Sequence, residues 1–190
     1  MYGLLNHALE GFLRDTYGVG RWRIIAQTAG LAFDRFEPLL PYPADLTDLV
    51  VAAASERLGR SSETLLEDMG TWLVSPRSDG RLRRLLRFGG AHFDDFLHSL
   101  EELPDRARLA LPDLNLPEIR LEEQGGGMFR LRVREPFAGA HHVLMGLLRA
   151  MADDYGALVL IEASSGGITL QLLDIGHAEA RHFDLSVGVA

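Results

Sequence analysis

The chain has no cysteine. It therefore has no disulfide framework, no thiolate metal site and no cysteine nucleophile. No apolar run reaches the roughly 20 residues that a membrane-spanning helix needs. The N-terminus also lacks the basic region and long apolar run of a secretory signal. From these absences we expect a soluble, cytoplasmic protein.

Positive charge is scarce, with 19 basic residues against 27 acidic ones and a net charge of −8. Such a surface repels nucleic acids and anionic membranes, so we expect neither as a partner. The exception is a local cluster of Arg81, Arg83, Arg84 and Arg87, more simply interpreted as the solvated face of a helix. At 190 residues and 47% hydrophobic, the chain is long enough for one domain with one good core.

Helical periodicity dominates the first part of the chain. Apolar residues recur at helical spacing from Leu4 to Leu13 and predict an amphipathic helix that ends near Tyr17. A short helix is expected from Trp22 to Ala29, followed by an irregular segment with three prolines over 31–44. Asp45 is the predicted N-cap of the next helix. Further helices are predicted over 63–74, with Ser61 or Ser62 as the cap, and over 81–88, from 93 onward, and 140–155.

Strand-like alternation begins after residue 112. The segments are PEIRLEEQ, GGGMFRLRVRE, ALVLIEA and GITLQLLD, with a possible last strand in ARHFDLSV. Helices followed by strands, with one helix inserted among the strands, indicate an α+β fold with an antiparallel sheet. We expect a single domain, 1–190, with a helical part over about 1–112 and a sheet-containing part over about 113–190.

Several of these segments have a distinctive sequence. They are MYGLLNHALEGFLRDTYG, TDLVVAAASERLG, LLEDMGTWLV, FDDFLHSLEELP and MGLLRAM. In this order they resemble the H-NOX (heme nitric oxide/oxygen binding, HNOB) domain, and are similar to the N-terminal domain of the soluble guanylate cyclase β subunit. The resemblance covers roughly the first 160 residues and implies a gas-sensing domain. It also implies a heme between the two parts, an iron-ligating histidine on a long helix and a Tyr-x-Ser-x-Arg motif that binds the propionates.

Both heme-anchoring motifs are replaced in this chain. The alignment places Pro104 at the position of the family's histidine, and the amide nitrogen of proline cannot coordinate iron. Because proline lacks an N–H and clashes with the carbonyl of Leu100, the helix is expected to kink or restart at Pro104. The stretch RLRVREPFAGAHH leaves no tyrosine, serine or arginine at the propionate motif positions. Arg132 and Arg134 lie nearby as possible propionate or anion contacts, or equally as solvent-facing strand residues.

Other residues define what remains of the site. His98 and His92 point to other faces of their helix than Pro104, which leaves His141 and His142 as possible alternative heme ligands. We therefore expect no metal bound in the family's manner, and the cluster of His92, Asp94, Asp95 and His98 offers too few convergent ligands for another metal. The residues expected around the former heme cavity are Leu5, Leu9, Leu66, Met69, Pro104, Pro117, Val143, Leu144 and Leu147.

We see no catalytic triad or carboxylate pair, so the leading interpretation is a non-enzymatic sensor or regulatory domain. It would act through a separate signalling protein, because no effector domain is evident in the chain. One alternative is a working nitric oxide or oxygen sensor whose heme has unusual axial ligation. A second alternative is a binding module for another apolar ligand in the former heme cavity.

Overall fold

The computed structural model describes residues 3–78, 81–86, 89–110, 118–134, 137–164 and 167–173. Within these ranges the chain forms eight helices and four strands. In chain order they are α1 (Gly3–Tyr17), α2 (Val19–Thr28), α3 (Leu46–Leu58), α4 (Ser62–Leu73), α5 (Arg81–Leu86), α6 (Phe93–Ser99), α7 (Leu103–Ala110), β1 (Ile119–Gly125), β2 (Met128–Val133), α8 (Ala140–Tyr155), β3 (Val159–Ser164) and β4 (Gly167–Leu172).

The helix boundaries follow local chemistry, with two departures from the sequence prediction. The predicted end of α1 at Tyr17 is confirmed, and Ser61 caps α4 by accepting the Thr64 N–H at 3.2 Å. However, α2 begins at Val19 rather than Trp22, because Gly18 turns the chain at φ 90° directly after α1. Asp45 is the N-cap residue of α3, as predicted, but its side chain makes no capping hydrogen bond.

The helix break at Pro104 is confirmed. Helix α6 ends at Ser99 and α7 begins at Leu103, so Pro104 occupies the first turn of a new helix. The missing N–H of proline costs nothing there, since the first N–H groups of a helix have no partner within it. Between the two helices, the Leu103 N–H donates to the Leu100 carbonyl at 3.2 Å.

The four strands form one antiparallel sheet in the order β1-β2-β4-β3, which confirms the predicted α+β class. Helix α8 connects β2 to β3. At the open edge of β1, the Glu101 carboxylate accepts the Leu121 N–H at 2.9 Å. The predicted last strand lies outside the described residues. No helix in the described part of the chain is long and apolar enough to cross a membrane.

The buried side chains form two cores. The helical core lies among α1 to α4 and includes Phe12, Trp22 and Phe36. The sheet core lies between the sheet, α6 and α8 and includes Phe96 and Leu131. Helix α4 carries residues of the helical core and α8 carries residues of both cores, and these two helices pack against each other where the cores meet.

Glycine permits the close approach of α4 and α8. A Cβ atom on Gly70 would lie 1.9 Å from the Val143 carbonyl oxygen, and one on Gly146 would lie 1.9 Å from the Glu67 carbonyl oxygen. Both distances are far below van der Waals contact. The Thr71 hydroxyl donates to the Gly146 carbonyl at 3.2 Å, which adds a direct hydrogen bond across the crossing.

We predict that Gly146→Ala destabilises the protein, although alanine is the better helix former. The added methyl group must push the two helix backbones apart, a cost of about 1–3 kcal/mol. Gly20→Ala is the matched control, because a Cβ at this helical position meets nothing within 4 Å. It should raise the free energy of unfolding by up to about 1 kcal/mol. Urea unfolding followed by circular dichroism measures both, and a stabilised Gly146→Ala protein would contradict the close approach.

Candidate functional site

Pro104, which the resemblance places at the family's ligand position, is buried at the start of α7. Its neighbour Leu103 is part of the sheet core. The Arg106 guanidinium reaches back and donates to the Ser99 carbonyl at 3.0 Å, which holds α7 against the end of α6. The buried Pro104 carries an amide nitrogen with no lone pair for a metal.

The predicted cavity residues come from both parts of the molecule, with Pro104 buried at the start of α7 and Pro117 outside the described residues. Those in or against the helical core are Leu5, Leu9, Leu66, Met69 and Val143. Those in or against the sheet core are Leu144 and Leu147.

Side chains occupy the space between the inner face of the sheet and the helices that cover it. Phe96, Leu97, Leu131, Leu148 and Leu170 have no solvent exposure and belong to one continuous cluster. At its rim, the ring of Tyr155 packs 5.5 Å from that of Phe96 and 6.2 Å from that of Phe93, measured between centroids. Two cavities among the described residues lie elsewhere, against α1.

The two arginines considered as propionate contacts lie on exposed positions at the end of β2. Arg132 alternates with the buried Leu131, so its side chain is on the opposite face of the sheet from the sheet core. It forms a cross-strand ion pair with Glu122, with Nε and Oε1 separated by 2.8 Å. Arg134 is exposed, and its backbone N–H donates to the Glu118 carbonyl at 3.1 Å.

His141 and His142 lie in the first turn of α8, where both are half-buried against α4. Their ring centroids are 4.1 Å apart, and Nδ1 of His142 lies 3.3 Å from Oε1 of Glu67. Glu67 also pairs with Arg149, so its carboxylate links two positions of α8 to α4. The pKa of the nearby Glu63 is lowered, chiefly because its own backbone N–H and the Ser61 hydroxyl donate to its carboxylate, with a smaller contribution from His142.

His92 and His98, at the two ends of α6, have structural roles. His92 is the N-cap of α6 and forms a capping box with Asp95, whose carboxylate accepts the His92 N–H at 3.1 Å. His98 is exposed and meets the ring of Phe129 edge-on at 6.2 Å. Within the described residues, no group of three or more histidine, cysteine, aspartate or glutamate side chains is arranged to hold a metal ion.

Two features oppose a heme held in the family's manner. The position expected to bind the iron offers no donor atom, and the propionate motif is missing. The residues present therefore do not fit the family's mode of heme binding.

Sequence reasoning missed a polar region beside α1. Glu10 is buried, with only 4% of its side chain exposed, and it pairs with Arg14 at 2.8 Å. Its second oxygen accepts the Phe36 N–H at 2.8 Å, which fixes the irregular 31–44 segment against the helix. The spacing of Glu10 and Arg14, four residues apart on a helix, was the available signal for the ion pair. Two cavities, of about 480 and 320 Å³, open on either side of Arg14.

Comparisons with known proteins agree with the fold. Residues 2–163 match the family model described as HNOB, Haem-NO-binding. The chain is 23% identical over 177 residues to soluble guanylate cyclase gcy-31 of Caenorhabditis elegans, covering 93% of this chain and 24% of that protein. It is 24% identical over 158 residues to soluble guanylate cyclase 89Db of Drosophila melanogaster, covering 83% of this chain and 24% of that protein. The chain thus spans about a quarter of the length of these relatives.

Solved structures show the same fold at low sequence identity. An H-NOX protein from S. oneidensis in the Fe(II) ligation state superposes with a TM-score of 0.76 at 16% identity, covering 94% of this chain and 99% of that one. A mutant of T. tengcongensis H-NOX gives a TM-score of 0.72 at 16% identity, covering 92% and 98%. With a family match over most of its length and this fold, the chain belongs to the Haem-NO-binding (H-NOX) family of sensor domains.

Proposed function

We propose that this chain is a non-enzymatic sensor or regulatory domain that does not hold heme through the family's iron–histidine bond. Its state is passed to a separate signalling protein. The observation that carries the proposal is the buried Pro104 at the family's ligand position. A signal that depends on stretching or breaking an iron–histidine bond cannot arise in a chain that lacks this bond.

The packing of the sheet side supports the loss of heme independently of the alignment at residue 104. Phe96, Leu131 and Leu148 are fully buried in the cluster that joins α6, α8 and the sheet. Protein interiors are close-packed, so a group as large as a porphyrin enters only if such side chains move. A substitution at one position cannot create that space.

The crossing of α4 and α8 supports a regulatory role for the fold. It is where the helical core meets the sheet core, and it combines tight backbone packing at Gly70 and Gly146 with the ion pairs of Glu67. A change in the position of the helical part relative to the sheet must rearrange these contacts. We therefore assign to this crossing the coupling of a ligand or partner on one part to the other part.

The relatives support an output through a signalling protein. They are named soluble guanylate cyclases, and the chain matches only about a quarter of their length. In those proteins the matching region is one part of a longer chain. For this chain we propose the same division between a sensing or regulatory domain and a protein that reads its state, without a catalytic role for the domain.

Heme titration tests the proposal directly. We predict that the protein, produced with heme supplied, shows no stoichiometric Soret absorption, because no imidazole is placed to bind iron in the family's position. The matched variants are His141→Ala and His142→Ala, whose absorption spectra should equal that of the unmodified chain. A full Soret band in the unmodified chain that is lost in either variant would instead establish unusual axial ligation from α8.

Replacing Pro104 distinguishes two reasons for the absence of heme, the missing iron ligand and the packing of the sheet core. We predict that Pro104→His still binds no stoichiometric heme, because the sheet core leaves no room for it. Its free energy of unfolding should fall by about 1–3 kcal/mol relative to the control Pro104→Ala, since the new imidazole is buried without a partner. Absorption spectra and urea unfolding measure the two effects. If the histidine variant gains a Soret band that the alanine variant lacks, the core is open and the second support for the proposal fails.

A further inference from the structure

The two cavities beside α1 share a wall. Arg14 and Arg35 line both of them, so the cavities are adjoining compartments of one groove between α1, α2 and the segment that follows α2. The smaller compartment, of about 320 Å³, is lined by Arg14, Val19, Trp22, Arg23, Asp34 and Arg35. Three of these six side chains are guanidinium groups, on a chain whose net charge is −8.

The guanidinium of Arg14 is held in place before any ligand arrives. Its Nη1 lies 2.8 Å from the Glu10 carboxylate, which is itself anchored by the Phe36 N–H at 2.8 Å. This pairing uses one of the five N–H donors of the group and leaves the others for a ligand. A cation fixed by a buried partner loses little side-chain entropy when an anion binds to it.

Arg23 and Arg35 bring two further charges to the same compartment. Both side chains are exposed and form no ion pair within the part of the chain that the structure describes. Asp34 is the acidic residue in the lining of this compartment and Glu10 neutralises Arg14, so Arg23 and Arg35 supply the positive charge that is not paired with a carboxylate. Arginine is the side chain best suited to bind phosphate or carboxylate, because its planar group donates two parallel hydrogen bonds.

The start of α2 adds to the attraction for an anion. Val19 is the first residue of this ten-residue helix and lines the same compartment. Gly18, the N-cap, has no side chain and makes no capping hydrogen bond. The first N–H groups of the helix and the positive end of its dipole therefore have no side-chain acceptor at the cap, and they favour a negatively charged ligand nearby.

The larger compartment, of about 480 Å³, has a mixed polar lining. Besides the shared arginines it includes His7, Glu37 and Asp15, and the Asp15 carboxylate accepts the Trp72 indole N–H at 2.9 Å. Acceptors and donors both occur there, which suits hydroxyl groups better than a second anion. The volume is in the range typical of small-molecule pockets.

We propose that this groove binds a small phosphate monoester. Its phosphoryl group lies among Arg14, Arg23 and Arg35 at the start of α2, and its polar organic part lies in the larger compartment. A phosphoryl group has three terminal oxygens and so satisfies three guanidinium groups more fully than a carboxylate does. The site is built from α1, α2 and the 31–38 region, so it does not depend on whether heme is bound.

Calorimetric titration of the full chain tests the site, with sodium chloride added to keep the ionic strength constant. Inorganic phosphate should bind saturably at one site per chain, and glycerol phosphate should bind at the same site more tightly. Arg23→Gln and Arg35→Gln should each weaken binding by about tenfold or more, since each removes charge-assisted hydrogen bonds. Arg84→Gln is the matched control, because Arg84 is an exposed arginine on α5 that lines neither cavity.

Circular dichroism of each variant shows that the fold is retained before binding is compared. Equal weakening by Arg84→Gln would identify a general charge effect and overturn the proposal. The absence of saturable phosphate binding would overturn it as well. If acetate binds as tightly as phosphate with the same dependence on Arg23 and Arg35, the groove is a carboxylate site and the assignment to a phosphate ester is wrong.

Discussion

The crossing of α4 and α8 is the constraint on which the rest of the structure depends. Two glycines let the helix backbones touch, and no other residue type fits at either position without displacing a carbonyl group. Because α4 belongs to the helical core and α8 covers the sheet, this one contact fixes the relation between the two parts. The ion pair of Glu67 with Arg149 and the contact of Glu67 with His142 then link α8 to α4 at two positions.

The packing of the sheet side is consistent with the proposed loss of heme. A cofactor between two parts of a fold contributes apolar contacts to both, and its removal leaves a void unless side chains replace it. Here the sheet core is continuous from Leu86 and Phe96 on the helices to Leu131 and Leu170 on the strands. The sheet side thus draws its stability from its own side chains.

Local signals in the sequence predicted much of the fold. The periodic apolar residues of α1, the helix break at Pro104 and the glycine turn between β1 and β2 each depend on a few neighbouring residues, and all three predictions were confirmed. The predicted start of α2 at Trp22 is wrong because Gly18, directly after α1, is also the N-cap of the next helix.

The candidate site was harder to predict, because it depends on contacts between distant segments. Leu66 and Leu147 are both apolar helix residues, and nothing in their local sequence indicates that they pack into different cores. Likewise, the groove beside α1 exists because Glu10 binds the backbone of Phe36, 26 residues away. A resemblance to a family predicts the overall fold, but it does not predict the side-chain contacts that differ in this chain.

The hydrogen bond from the Leu121 N–H to Glu101 has a consequence for association between molecules. The unpaired backbone groups of an exposed edge strand can hydrogen-bond to an extended segment of another chain. A backbone N–H that already donates to a side chain is not available for such pairing. An incoming strand at β1 must first displace a charged side chain that is tethered to the turn between α6 and α7. The turn that precedes Pro104 therefore also hinders strand pairing between β1 and another copy of the chain.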